Sequence, residues 1–236
     1  SVKLIESYSA GDFPERVLEE KENFVARYGL GSDFRKSAAT AMRESVAPHL
    51  KTYLSELARH YHALAQAGSR ELQALESADE IPVKERSEKD EAVDPEVLRG
   101  EVIANYRRAG DYYQNFITTF PNAAEVPEMM YLLAEARFES QDYPGAIEAY
   151  ETVAYEYSDH RRGADAGYAA VVAFDKLLES IPAEENEAWR QLKITSELRF
   201  AQRYASDPRA SAVLTRAAEE LLELEDYAGA VVAAGQ

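Results

Sequence analysis

Residues 141–153 read "QDYPGAIEAYETV" and residues 225–235 read "EDYAGAVVAAG". Both place Asp-Tyr, one variable residue, then Gly-Ala and an apolar residue ahead of a helix-forming run, and "GDFPERVLEEKENF" at 11–24 has a related form. A proline inside such a run ordinarily breaks it. Directly after an aspartate it does the opposite, because aspartate accepts free N–H groups at a helix start and proline fits the first turn, where no backbone bond is lost. The three stretches are therefore read as starts of second helices in helical hairpins, with Asp12, Asp142 and Asp226 as caps and Pro14 and Pro144 inside the first turn.

The ends of these helices also share a form. Phe24/Tyr28, Phe116/Phe120, Val153/Tyr157 and Phe200/Tyr204 are apolar or aromatic pairs four residues apart, each followed by breakers: "GLGSD", "PNA", "SDH" and "ASDP". Pairs at that spacing lie on one helix face. Preceding helices are expected around Ala58, Ala134, Ala170 and Ala218, in "YLSELARHYHAL", "MMYLLAEARFES", "AGYAAVVAFDKL" and "LTRAAEELLELE". A small side chain at each of those points lets two helices approach closely. Ala146 and Ala230 play the same part on the second helices.

A first helix with a small landmark, a D-Y turn, and a second helix that opens on Ala and closes on an aromatic pair resembles the tetratricopeptide repeat, a helical hairpin of about 34 residues. The fullest copy is "EMMYLLAEARFESQDYPGAIEAYETVAYEYSD", residues 128–159. It is most similar to the bacterial cell-envelope variety, of the BamD and CpoB kind. The resemblance extends over most of residues 1–236 as degenerate copies. It implies one all-α repeat domain, a right-handed superhelical solenoid of four to five hairpins. Landmark alanines lie 76, 36 and 48 residues apart, so insertions interrupt the stack. The largest is expected at about 68–95; residues 71–96 hold ten acidic and three basic residues, which suits a flexible solvated loop. A second, "ESIPAEENEAW", precedes the helix around Leu192 to Tyr204, with Trp189 filling the gap it leaves. Neither end reads as a polar capping repeat, so the sequence is expected to be a fragment of a longer repeat protein that self-associates through uncapped ends.

Composition narrows the function. The 236 residues are 46% hydrophobic and carry a formal charge of −17. That charge opposes the counterion release that drives nucleic-acid binding. No apolar run reaches the roughly 18 residues of a membrane span; Ala166 to Phe174 is half that. With no Cys there is no disulfide, thiolate zinc site or thiol catalysis. His60 and His62 point about 200° apart on a helix and cannot share one metal ion. Adjacent acids such as Glu184/Glu185 do not make opposed carboxylates, and no phosphate or dinucleotide loop occurs. The expectation is a non-enzyme with no cofactor and no metal.

The resemblance implies a groove lined by the fifth, ninth, twelfth and thirteenth positions of each first helix. These are Ser55, Arg59, His62 and Ala63; Tyr131, Glu135, Phe138 and Glu139; Gly167, Val171, Phe174 and Asp175; Thr215, Glu219, Leu222 and Glu223. The candidate binding residues are Arg59, Tyr131, Glu135, Phe138, Glu139, Phe174, Asp175 and Glu219. Arg59 is the single base among these lining positions, which disfavours the carboxylate-gripping mode of chaperone-binding relatives. A protein or peptide with apolar anchors and Lys or Arg fits better. A purely structural spacer is the competing reading. The family branch implies a periplasmic or outer-membrane-associated location, with a cytoplasmic adaptor as the alternative.

Overall fold

The computed structural model describes residues 1–79, 94–157, 160–182 and 186–235. Every regular element among them is a helix, and no strand occurs there. The chain divides into two compact units, residues 1–141 and 142–236.

In the first unit, α1 (Val2–Ala10) packs on α2 (Pro14–Tyr28), and α2 packs on α3 (Asp33–Ser37) and on α4 (Thr40–Asp79). Helix α5 (Pro95–Thr119) lies along α4, and α6 (Val126–Glu139) lies along α5. The α4 stripe is Leu50, Leu54, Leu57, Ala58, Tyr61 and Ala65, all buried at helical spacing. It meets Leu98, Val102, Tyr106, Ala109, Tyr113 and Phe116 of α5. Pro48 lies inside α4, where its ring nitrogen cannot donate to the carbonyl of Glu44. The turns ahead of it are largely exposed and the buried stripe begins only at Leu50, so the missing bond falls where the helix packs least. Residues 68–79, expected to open the large insertion, instead continue α4; residues 80–93 lie outside the described residues. Half-buried Leu72 and Leu75, three residues apart, carry the helical period that the acidic composition obscured.

The second unit runs α7 (Tyr143–Tyr155), α8 (Gly163–Ser180), α9 (Asn186–Arg203), α10 (Ala210–Glu223) and α11 (Tyr227–Ala234), each packed on the next. Helix α8 is built of small residues: Gly163, Ala166, Gly167, Ala170 and Ala173 are all buried. Phe200 and Tyr204 of α9 lie over it. A Cβ on Gly167 would stand 3.0 Å from the Phe200 ring and 3.3 Å from that of Tyr204; one on Gly163 would stand 2.7 Å from the Tyr204 hydroxyl oxygen. That hydroxyl donates to the Ala154 carbonyl at 2.5 Å, satisfying an acceptor at the end of α7. The second expected insertion, 179–189, is shorter than its letters suggest: α8 runs to Ser180 and α9 begins at Asn186, with residues 183–185 outside the described residues, so Trp189 lies within α9, its ring centroid 6.3 Å from that of Phe174. Landmarks Ala58, Ala134 and Ala170 are fully buried. The fourth needs correcting by one residue. Helix α10 buries Ala210, Val213 and Ala217, a stripe of three- and four-residue steps that leaves Ala218 at its edge, half-buried.

Three turns repeat one backbone path. Gly11, Ser140 and Leu224 end their helices at φ/ψ of −87°/2°, −88°/8° and −83°/5°. Next come Asp12, Gln141 and Glu225 in the left-handed region, at φ of 57°, 66° and 62°. Then Phe13, Asp142 and Asp226 precede the following helix at −108°/73°, −83°/71° and −84°/73°. Asp142 accepts from the Gly145 N–H at 3.1 Å and Asp226 from the Gly229 N–H at 2.9 Å, as expected of caps. Asp12 does not cap. It occupies the left-handed position, and Phe13, which has no acceptor, stands at the cap of α2. The first turn is therefore offset by one residue from the alignment that its letters suggest. A side chain at positive φ costs about 1–2 kcal/mol. Gln141→Gly is accordingly expected to leave stability unchanged or slightly raised, because relieved strain offsets lost chain stiffness. Gln141→Val should lower it by about 1–3 kcal/mol. Urea melts of the two variants check this, and equal midpoints would contradict it.

Candidate functional site

Within the first unit, α4, α5 and α6 assemble a polar and aromatic cluster around Tyr113. His62 is buried between Tyr106 and Tyr113, with ring centroids at 5.5 and 5.9 Å, and its Nδ1 lies 3.4 Å from the Tyr113 hydroxyl. Burial holds the His62 imidazole below its ordinary pKa, because enclosure disfavours the charged ring. It is a packing histidine and does not line an open groove. Burial raises the Tyr113 phenol well above its usual value, with Arg59 opposing that rise and Glu135 and Glu128 adding to it. Two of the predicted residues, Arg59 and Glu135, thus act on one hydroxyl from opposite neighbouring helices. Glu135 and Glu139 likewise both act on the Tyr106 phenol. Burial pushes the Glu139 carboxyl upward although the residue as a whole is exposed. Tyr131, Glu135 and Phe138 are half-buried. Five candidates, Arg59, Tyr131, Glu135, Phe138 and Glu139, therefore belong to α4 and α6 of one unit.

The second-unit candidates stand differently. Phe174 is buried against Trp189 and offers no docking surface; Gly167 and Val171 are buried as well. Because α8 is slim, α7 and α9 both close on it, and the face expected to be open is covered. Asp175 is committed to ion pairs with Lys193 at 2.8 Å and Arg216 at 3.1 Å. On α10, Thr215, Glu219, Leu222 and Glu223 are exposed, though Glu223 pairs with Arg190 at 2.7 Å.

Two features escaped the sequence reading. A cavity of about 520 Å³ opens among α1, α2 and α4, with Phe13, Val17, Leu18 and Leu57 among its apolar lining and Lys21, Glu56 and His60 among its polar lining. Its lining comes from helices far apart in the chain, so no local pattern announces it. A buried ionic seam joins Asp175, Lys193, Glu197, Arg216 and Glu220. Here a signal was present: Lys193/Glu197 and Arg216/Glu220 are opposite charges four residues apart on consecutive helices. Within the first unit, Glu22 pins α2 by accepting from Tyr61 of α4 and from Tyr112 and Arg108 of α5.

Residues 128–160, spanning α6, the Ser140–Asp142 turn and α7, match the family model for the tetratricopeptide repeat. The match supports a tetratricopeptide repeat in this segment, and with it a protein–protein interaction module. No curated protein matches the chain. No helix among the described residues is long and apolar enough to cross a membrane.

Proposed function

We propose that the chain is a non-catalytic tetratricopeptide scaffold, a right-handed superhelical stack of hairpins that binds a protein or peptide. The observation that carries this reading is the repeat match over residues 128–160 together with the cluster of Arg59, Tyr131, Glu135, Phe138 and Glu139 on α4 and α6. The partner segment carries an apolar anchor flanked by Lys or Arg: the anchor meets the half-buried rings of Tyr131 and Phe138, and its bases meet Glu135 and Glu139. Helix α10 adds a second exposed acidic and apolar strip through Glu219 and Leu222. Resemblance to the cell-envelope branch supports a periplasmic or outer-membrane-associated setting, with a cytoplasmic adaptor as the alternative. Exposed Tyr227, Val231 and Val232 on α11 support self-association or cover by further repeats.

The test is a panel of soluble peptides with one aromatic or leucine anchor and two or three flanking lysines or arginines, followed by fluorescence polarisation. Glu135→Gln/Glu139→Gln is expected to weaken the best binder by about tenfold, as removal of two partly exposed charge pairs should. Rising salt should weaken the wild type more than the variant. If no peptide binds, or the double variant binds as well as the wild type, the α6 surface is not the docking site and the spacer reading takes its place.

A further inference from the structure

The seam joining α8, α9 and α10 contains three carboxyl groups and two cations. Lys193 reaches Asp175 at 2.8 Å, Glu197 at 3.6 Å and Glu220; Arg216 reaches Glu197 at 2.7 Å and Asp175 at 3.1 Å. Glu197 is fully buried and Lys193 nearly so. With every member ionised, one negative charge is left without a counterpart inside the seam. The hydrogen bonding is incomplete in the same place. Oε2 of Glu197 and Oε2 of Glu220 are both enclosed without a donor. An enclosed carboxylate oxygen with no donor loses its hydration and gains nothing in return. A proton removes the excess charge and turns one acceptor into a donor.

We propose that this seam holds one exchangeable proton, on Glu197, and that releasing it loosens α9 from α8 and α10, making residues 142–236 a pH-sensitive segment of the scaffold. The groups facing Glu197 are Asp175 from α8, Lys193 from its own helix, and Arg216 and Glu220 from α10. At the margins, Ser196 donates to Glu151 of α7 at 2.6 Å, and Arg190 pairs with Glu223. Burial pushes the Glu197 carboxyl up to about 7; Lys193 and Arg216 oppose the rise and Glu220 adds to it. An unfolded glutamate titrates at about 4.3. The folded protein therefore binds one proton more than the unfolded chain between these values. This contribution to stability is full below the unfolded value and is lost as pH rises through the folded one.

Two measurements test the proposal. In protein carrying ¹³C-labelled glutamate, the Glu197 side-chain carboxyl is expected to titrate with a midpoint near 7, and Glu220→Gln should lower that midpoint. A wild-type midpoint in the ordinary carboxyl range would overturn the assignment, and this experiment needs no variant at Glu197. The second is thermal unfolding followed by fluorescence of Trp189, the single tryptophan of the chain, which lies on α9. From about pH 5.5 to pH 8.5 the wild-type Tm is expected to fall by more than about 5 °C, while that of Glu197→Gln stays level. Parallel profiles for the two proteins would show that the proton is held elsewhere or not at all.

Discussion

Lys193→Ala is expected to destabilise residues 142–236 by about 3–5 kcal/mol, the usual cost of removing one partner from a buried ion pair. Lys193 is the hub of the α8–α9–α10 seam, touching Asp175, Glu197 and Glu220. Those carboxyl groups gain little from attraction in the abstract, since taking ions out of water offsets most of it. What matters is that Glu197 is fully enclosed and Glu220 largely so, while Asp175 is partly open to solvent; deleting the ammonium leaves the three facing one another with Arg216 as their remaining cation in the seam. Part of the loss is recoverable by protonation, so the deficit should shrink towards acid pH. Denaturant unfolding followed at Trp189 isolates this unit. A loss below about 1 kcal/mol would mean that water enters the seam and that its ions behave as surface pairs.

Phe200→Ala is expected to cost a further independent amount, about 3–5 kcal/mol. Its ring is fully buried and packs with Ala210, Val213, Tyr168 and Tyr204. On the α8 side the ring lies over Gly167, which has no side chain to swing into the void, and beside the half-buried Tyr168, whose ring centroid is 6.0 Å away. Phe200→Leu should recover more than half the loss. The same fluorescence-detected unfolding measures both, and a Phe200→Ala loss under about 1.5 kcal/mol would imply that α8 and α9 collapse onto each other freely.

How much of this architecture the letters disclose depends on which forces are local. The caps at Asp142 and Asp226 were legible because a carboxylate serves N–H groups three residues away. The Phe24/Tyr28, Phe116/Phe120 and Phe200/Tyr204 pairs were legible for the same reason, and their rings lie 4.5–5.6 Å apart. Asp12 was misplaced because similar letters occupy a backbone path shifted by one residue, and only torsion angles reveal the shift. Phe174 and Asp175 were assigned to an open wall by their place in the repeat. Whether a wall is open depends on how closely the next helix approaches, and that was set by the slimness of α8. The cluster around Tyr113 was half legible: Arg59 and Glu135 were named, while His62 was named as lining and proved to be core. No local pattern joins residues 59, 113 and 135, so their meeting is a property of the packing alone.

Helix α8 also constrains the directions in which this chain can change. Gly163, Ala166, Gly167, Ala170 and Ala173 are at or next to the smallest residue available. Nearly every codon change at these five buried sites therefore adds atoms to a packed interface, against the Phe200 and Tyr204 rings at Gly163 and Gly167, and acts as a wedge between neighbours. A thin rod of this kind cannot adapt by trimming, so sequence novelty in this half of the molecule has to accumulate on the outward sides of its neighbours, such as Gln191 and Leu192 of α9 and the exposed positions of α10 and α11.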